Sequence, residues 1–190
     1  MLKTIRLIRG DLRAKAQWSY DNGGWQNQLR TLASDGSAAM LVYRAMQAAR
    51  RHHLPAIEML MNKVNSSLLG CVIGRGAEFG PRFVLIHSNG VVINGRVRGG
   101  SGLLVEHQVT IGAEKGQTPT IGDNVFIGAG AKILGPVTVA DNARVGANAV
   151  VTRDVSANTT VVGVPAKPIG PRHCAPDVAI TQFQPHDSST

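Results

Sequence analysis

The sequence predicts a mainly β chain, a β-helix of hexapeptide repeats, with a small α-helical region at its N-terminus. Two observations predict this. From Ile73 an apolar residue recurs every six positions, at Ile73, Phe79, Leu85, Val91, Val97, Leu103 and Val109, and again at Ile121, Ile127, Ile133, Val139, Val145 and Val151. Second, small residues stand four places after many of these marks (Ala77, Gly95, Ser101, Ala113, Ala131, Ala143, Ala149), and glycine follows several directly. A helix repeats at 3.6 residues and a flat strand at 2, so neither produces a period of six. Short strands joined by corners do, and each coil then buries its Val/Ile/Leu row against the next.

Composition agrees. Of 190 residues, 43% are hydrophobic but only 4% aromatic, and 22 are glycine, so the core must be aliphatic with many corners. Charged residues are 17%, a globular value. The net charge of +8 suits an anionic partner such as a phosphorylated cofactor. Cys71 and Cys174 have neither metal spacing nor a disulfide pattern, so the expected compartment is the reducing cytoplasm. No run has transmembrane length, and the first residues show no uncharged apolar stretch before a cleavage site, so a soluble protein that is not secreted is expected. No nucleic-acid motif accompanies the charge.

The elements follow in order. Residues 1–69 read as helical. In the first helix Leu2, Ile5, Ile8 and Leu12 share a face, with Lys3, Arg6, Arg9 and Arg13 largely off it. That basic face offers weak contact with an anionic membrane surface. DNGG at 21–24 breaks the helix. Asp35 to Ser37 are capping residues for a second helix through residue 53, and Pro55 opens a third. Residues 70–170 form the coil domain. EKGQTPT at 114–120 interrupts the period and reads as a loop leaving the coil. Residues 171–190 are a polar tail.

The wording of the coil resembles a known family. IGAGAKILG (127–135), VVGVPAKPIG (161–170) and VTIG (109–112) are similar to the serine acetyltransferase family, within the left-handed parallel β-helix acyltransferases. The Tyr43–Arg44 pair is similar as well. FVLIHSNGVVIN (83–94) and VEHQVTIG (105–112) also resemble a shorter branch, the capsule and colanic acid acetyltransferases.

The resemblance implies a homotrimer with active sites between neighbouring coils, acetyl-CoA as co-substrate, no metal, and a catalytic histidine matching His87. The family's acid before that histidine is Ile86 here, and its second acid, fifteen residues earlier, is Val72. The loop lacks the family's Arg-His pair. These departures favour a sugar or glycan-precursor hydroxyl as acceptor over serine, with serine as the alternative and a catalytically inactive scaffold as a further one. A zinc carbonic anhydrase shares this fold, but the histidine pair that it would need after His87 and His107 is missing.

Acyl transfer to a hydroxyl needs a base, oxyanion donors and a hold on CoA. A neutral imidazole suits the base. His87, two places after a mark, is expected to point outward as that base. His107, four places after Leu103, is expected to point inward and is a second catalytic candidate. Glu106 is the expected substitute for the missing acids, placed beside Ser88 by an eighteen-residue coil. Ile111, Ala129, Ala147 and Pro165, eighteen apart, are expected to form a column along which pantetheine lies. Gly112 or Ala113 would donate an N–H to the oxyanion, and Lys167 would meet a CoA phosphate.

Overall fold

The computed structural model describes residues 2–169; the expected tail at 171–190 and Cys174 lie outside them. Helices α1 (Leu2–Tyr20), α2 (Trp25–Leu32), α3 (Ser37–Arg51) and α4 (Pro55–Ser67) come first, followed by fifteen short strands. The octapeptide α2 was not expected. Trp25, Leu29 and Leu32 do fall at helical spacing, but Gly23 and Gly24 precede the segment and eight residues are a short window for a period.

The strands form three sheets, the faces of a triangular coil. The first face stacks β1 (Val72–Ile73), β4 (Val92–Ile93), β7 (Thr110–Gly112), β10 (Lys132–Leu134) and β13 (Val150–Val151). The second stacks β2 (Glu78–Phe79), β5 (Arg98–Gly99), β8 (Thr120–Ile121) and β11 (Thr138–Val139). The third stacks β3 (Val84–Leu85), β6 (Leu104–Val105), β9 (Phe126–Ile127), β12 (Arg144–Val145) and β14 (Thr160–Val162). All these pairings are parallel; β15 (Lys167–Ile169) alone folds back antiparallel on β14. Every marked residue from Ile73 to Val151 is buried. Burying this largely aliphatic column stabilises the coil by about 25 cal/mol per Å² of apolar surface removed from water.

The coil is not uniform. Phe126 pairs with Arg144, eighteen residues on, but Val84 pairs with Leu104, twenty on. The extra two residues fall at the corner 86–91, IHSNGV. A second expansion lies at 113–119, where Glu114 and Gln117 pair across a tight turn. Lys115 and Gly116 supply its positive φ values, 48° and 81°, the conformation hairpin turns require.

The helices are fastened to the first coil by buried polar groups. Arg44 uses all five guanidinium N–H groups: Nε and Nη2 on the Asp11 carboxylate (2.6 and 3.0 Å), and the remainder on Gln47 Oε1 and the carbonyls of Phe79 and Gly80. Asp11 Oδ1 also accepts from the Phe83 N–H at 3.0 Å. Tyr43 donates its hydroxyl to the Ala77 carbonyl. The buried side of α1 is therefore Asp11, Leu12, Lys15 and Ala16. Leu2 and Ile5, expected on the apolar face, are exposed. Trp18 of α1 stacks on Phe126 of the third face at 5.7 Å, so α1 runs beside the edge that carries the histidines.

Candidate active site

The corner between the third and first faces gathers the candidate residues. Continuing the pairing of Leu85 with Val105 sets Ile86 beside Glu106 and His87 beneath His107. The two imidazoles are 5.9 Å apart, edge to face. The expectation that His107 points inward is corrected: its side chain is 44% exposed. The two-residue insertion explains it. After the insertion the strand positions are Ile93, Leu104–Val105 and Ile111, so the marks Val91 to Val109 occupy the other inward position. His107 then stands two places after Val105, as His87 stands two after Leu85.

The same slip corrects Glu106. It lies beside Ile86, two places from Ser88, with Oε2 3.6 Å from His107 Nδ1. The acid beside His87 comes from elsewhere. Asp35, in the α2–α3 connection, places Oδ2 2.9 Å from His87 Nδ1. Asp35 does not act as the expected helix cap: α3 has no side-chain cap. Oδ1 of Asp35 accepts the Gly36 N–H at 2.8 Å. Partial burial raises the Asp35 pKa, but the hydrogen bonds from His87 and Gly36 and the charges of His87 and Lys15 outweigh it and hold it below the ordinary carboxylate value.

Above the histidines the column continues in small residues. Phe126 pairs with Leu104 twenty-two positions back, so Ala129 stands over His107; Ala147 stands over Ala129. Ala129 is half-buried and Ala147 exposed. Lys167 is exposed on β15, opposite Val162 at the top of the third face. The column expected from a strict eighteen-residue spacing is corrected at its base. Ile111 is fully buried in the core, and His107 takes its place.

Gly112 and Ala113 are half-exposed and exposed, but they stand at the corner between the first and second faces. Within one chain they do not meet His87. Buried Cys71, whose thiol burial pushes up to about 12, is no nucleophile at neutral pH. Among the described residues no cluster of three or more His, Cys, Asp or Glu is arranged to hold a metal ion, and no helix is long and apolar enough to cross a membrane.

Residues 118–153 match the bacterial transferase hexapeptide (six repeats) family model. A serine acetyltransferase of Helicobacter pylori strain J99 is 33% identical over 168 residues, 86% of this chain and 92% of the relative. The chain belongs to the serine acetyltransferase family. The serine acetyltransferase of Synechococcus elongatus is 36% identical over 73% of this chain, which spans only 58% of that relative's length. Among solved structures, the Neisseria gonorrhoeae serine acetyltransferase in complex with serine superposes with a TM-score of 0.79 at 32% identity, covering 88% of this chain and 70% of the other. A serine acetyltransferase in complex with CoA gives a TM-score of 0.80 at 26% identity, covering 88% and 70%.

Proposed function

We propose that this chain transfers an acetyl group from acetyl-CoA to an acceptor hydroxyl, with His87 as general base. The observation that carries the reading is the single line from His87 and His107 through Ala129 and Ala147 toward Lys167. Small residues admit a thin pantetheine arm, and the lysine at its far end suits a phosphate. The structures of relatives with CoA and with serine support the same pair of substrates.

With His87 Nδ1 turned to Asp35, Nε2 is the nitrogen left for the acceptor. Nε2 takes the hydroxyl proton while the oxygen bonds to the acetyl carbon. The tetrahedral intermediate then releases the CoA sulfur, which receives the proton, so CoA thiol and acetyl ester leave. Such a base contributes about 10²–10⁴-fold. Oxyanion donors from Gly112 or Ala113 would come from a neighbouring copy, because their corner is a different one. A homotrimer satisfies this, and the exposed, paired Val72 and Val92 on the outer first face give it an apolar surface to bury.

Serine is the acceptor that the relatives support. A sugar hydroxyl is the second reading, favoured by apolar Ile86 and Val72 at the two acid positions and by a loop without the Arg-His pair. Release of CoA thiol with serine and with a panel of sugars decides between them. Turnover with serine, abolished in His87→Ala with CoA binding retained, is the expected result. Turnover with sugars alone establishes the second reading, and a fully active His87→Ala overturns the assignment of the base.

A further inference from the structure

We propose that Asp35, contributed by the helical region, is the positioning carboxylate of His87. This rests on the reading of His87 as the base. The coil itself offers His87 no acid: Ile86 and Val72 are apolar, and Glu106 turns to His107. Asp35 is fifty-two residues away in sequence yet 2.9 Å from Nδ1.

The chemistry follows from the pair. An ionised carboxylate only accepts hydrogen bonds, so Nδ1 must carry the proton and Nε2 must present its lone pair. The carboxylate also steadies the imidazolium formed when Nε2 takes a proton, as in a hydrolase triad.

The connection holding Asp35 is built to fit this corner. Gly36 adopts φ +76°, and a Cβ there would overlap the carbonyl oxygen of Leu85, two residues before His87. Only glycine lets the backbone lie this close. Behind it, Lys15 of α1, 2% exposed, donates through Nζ to the Asp35 carbonyl. Asp35 is thus held from both sides: its carbonyl by Lys15, its Oδ1 by the Gly36 N–H.

Stability does not account for the contact. Both side chains are about half exposed, 51% for His87 and 56% for Asp35, and an exposed pair contributes little to stability. The helical region thereby becomes part of the catalytic apparatus.

The test uses the full chain with Asp35→Asn, Asp35→Glu and His87→Ala. ¹⁵N spectra of the His87 imidazole report its tautomer independently of turnover. Asp35→Asn is expected to lower kcat by about 10²–10⁴-fold, leave KM for acetyl-CoA and the thermal midpoint unchanged, and shift His87 from the Nδ1–H toward the Nε2–H tautomer. Asp35→Glu should recover part of kcat. An Asp35→Asn protein with wild-type kcat and tautomer, beside an inactive His87→Ala, overturns this inference alone. An active His87→Ala overturns the base assignment and this inference with it.

Discussion

His107 stands one coil above His87, its ring meeting the other edge to face at 5.9 Å. The two imidazoles form the floor of the proposed acyl column. Only His87 has a carboxylate at hydrogen-bond distance; His107 Nδ1 and Glu106 Oε2 are 3.6 Å apart, beyond a good hydrogen bond. The roles should therefore separate. His107→Gln is expected to lower kcat/KM by about tenfold, a loss near 1.4 kcal/mol of transition-state stabilisation, with Glu106→Gln smaller still. Steady-state kinetics beside His87→Ala checks this ordering. Equal losses at His87 and His107 would make the pair a joint base.

Arg44 fixes α3 to the first coil through five donors, all with partners, at 1% exposure. Truncating one member of a buried pair strands the other charge, at a cost of about 3–5 kcal/mol. Arg44→Met should lose about that much, because Asp11 and two backbone carbonyls lose their donors. Asp11→Asn with Arg44 intact should lose a comparable amount, because the buried guanidinium cannot shed its charge and one amide oxygen cannot replace both carboxylate acceptors. Urea unfolding measures both.

The coil was legible because thirteen apolar marks recur with a period that only a β-helix needs, and each mark is buried. The two-residue slip at 86–91 was not legible. Each hexapeptide has two inward positions, both apolar here, so exchanging them leaves the pattern intact. Val91 and Ile93, for example, are both buried. That hidden exchange misplaced His107, Glu106 and the base of the acyl column. Asp35 was missed for a different reason. Asp-Gly-Ser before a helix is a cap signal, and nothing in the local sequence says that its carboxylate turns to a histidine fifty-two residues away. The one available hint was the mismatch itself: a histidine in the family's position with neither family acid demands a carboxylate from elsewhere.

Gly36 gives the sharpest mechanical test of the connection. Its positive φ costs a non-glycine residue about 1–2 kcal/mol, and the overlap with the Leu85 carbonyl adds to this. Gly36→Ala should lower stability by about 2–3 kcal/mol and also lower kcat, because the Asp35 carboxylate is displaced from His87. At a temperature where the variant is fully folded, a reduced kcat with unchanged CoA affinity is the expected signature. A destabilised but fully active Gly36→Ala would mean that the connection can move without releasing His87.

Lys15 makes stability depend on pH in a predictable direction. Burial lowers its pKa from 10.5 to about 8, although the Asp35 charge opposes the shift. Below pH 8 the folded chain bears the full cost of a buried ammonium. Between about pH 8 and 10.5 the unfolded chain holds a proton that the folded chain has released, so this group's contribution to stability rises with pH. The whole change is about 3 kcal/mol, at 1.36 kcal/mol per pKa unit. Tyr43 and Cys71, whose pKa values burial raises, act in the opposite sense at high pH, so the wild-type curve alone does not isolate Lys15. The difference between Lys15→Met and wild type does. Lys15→Met also loses the hydrogen bond to the Asp35 carbonyl, which adds an offset that does not vary with pH. Urea unfolding at pH 7, 8.5 and 10 should show the advantage of Lys15→Met greatest at pH 7 and shrinking toward pH 10. A difference that stays constant across that range would place the Lys15 proton outside the folding equilibrium.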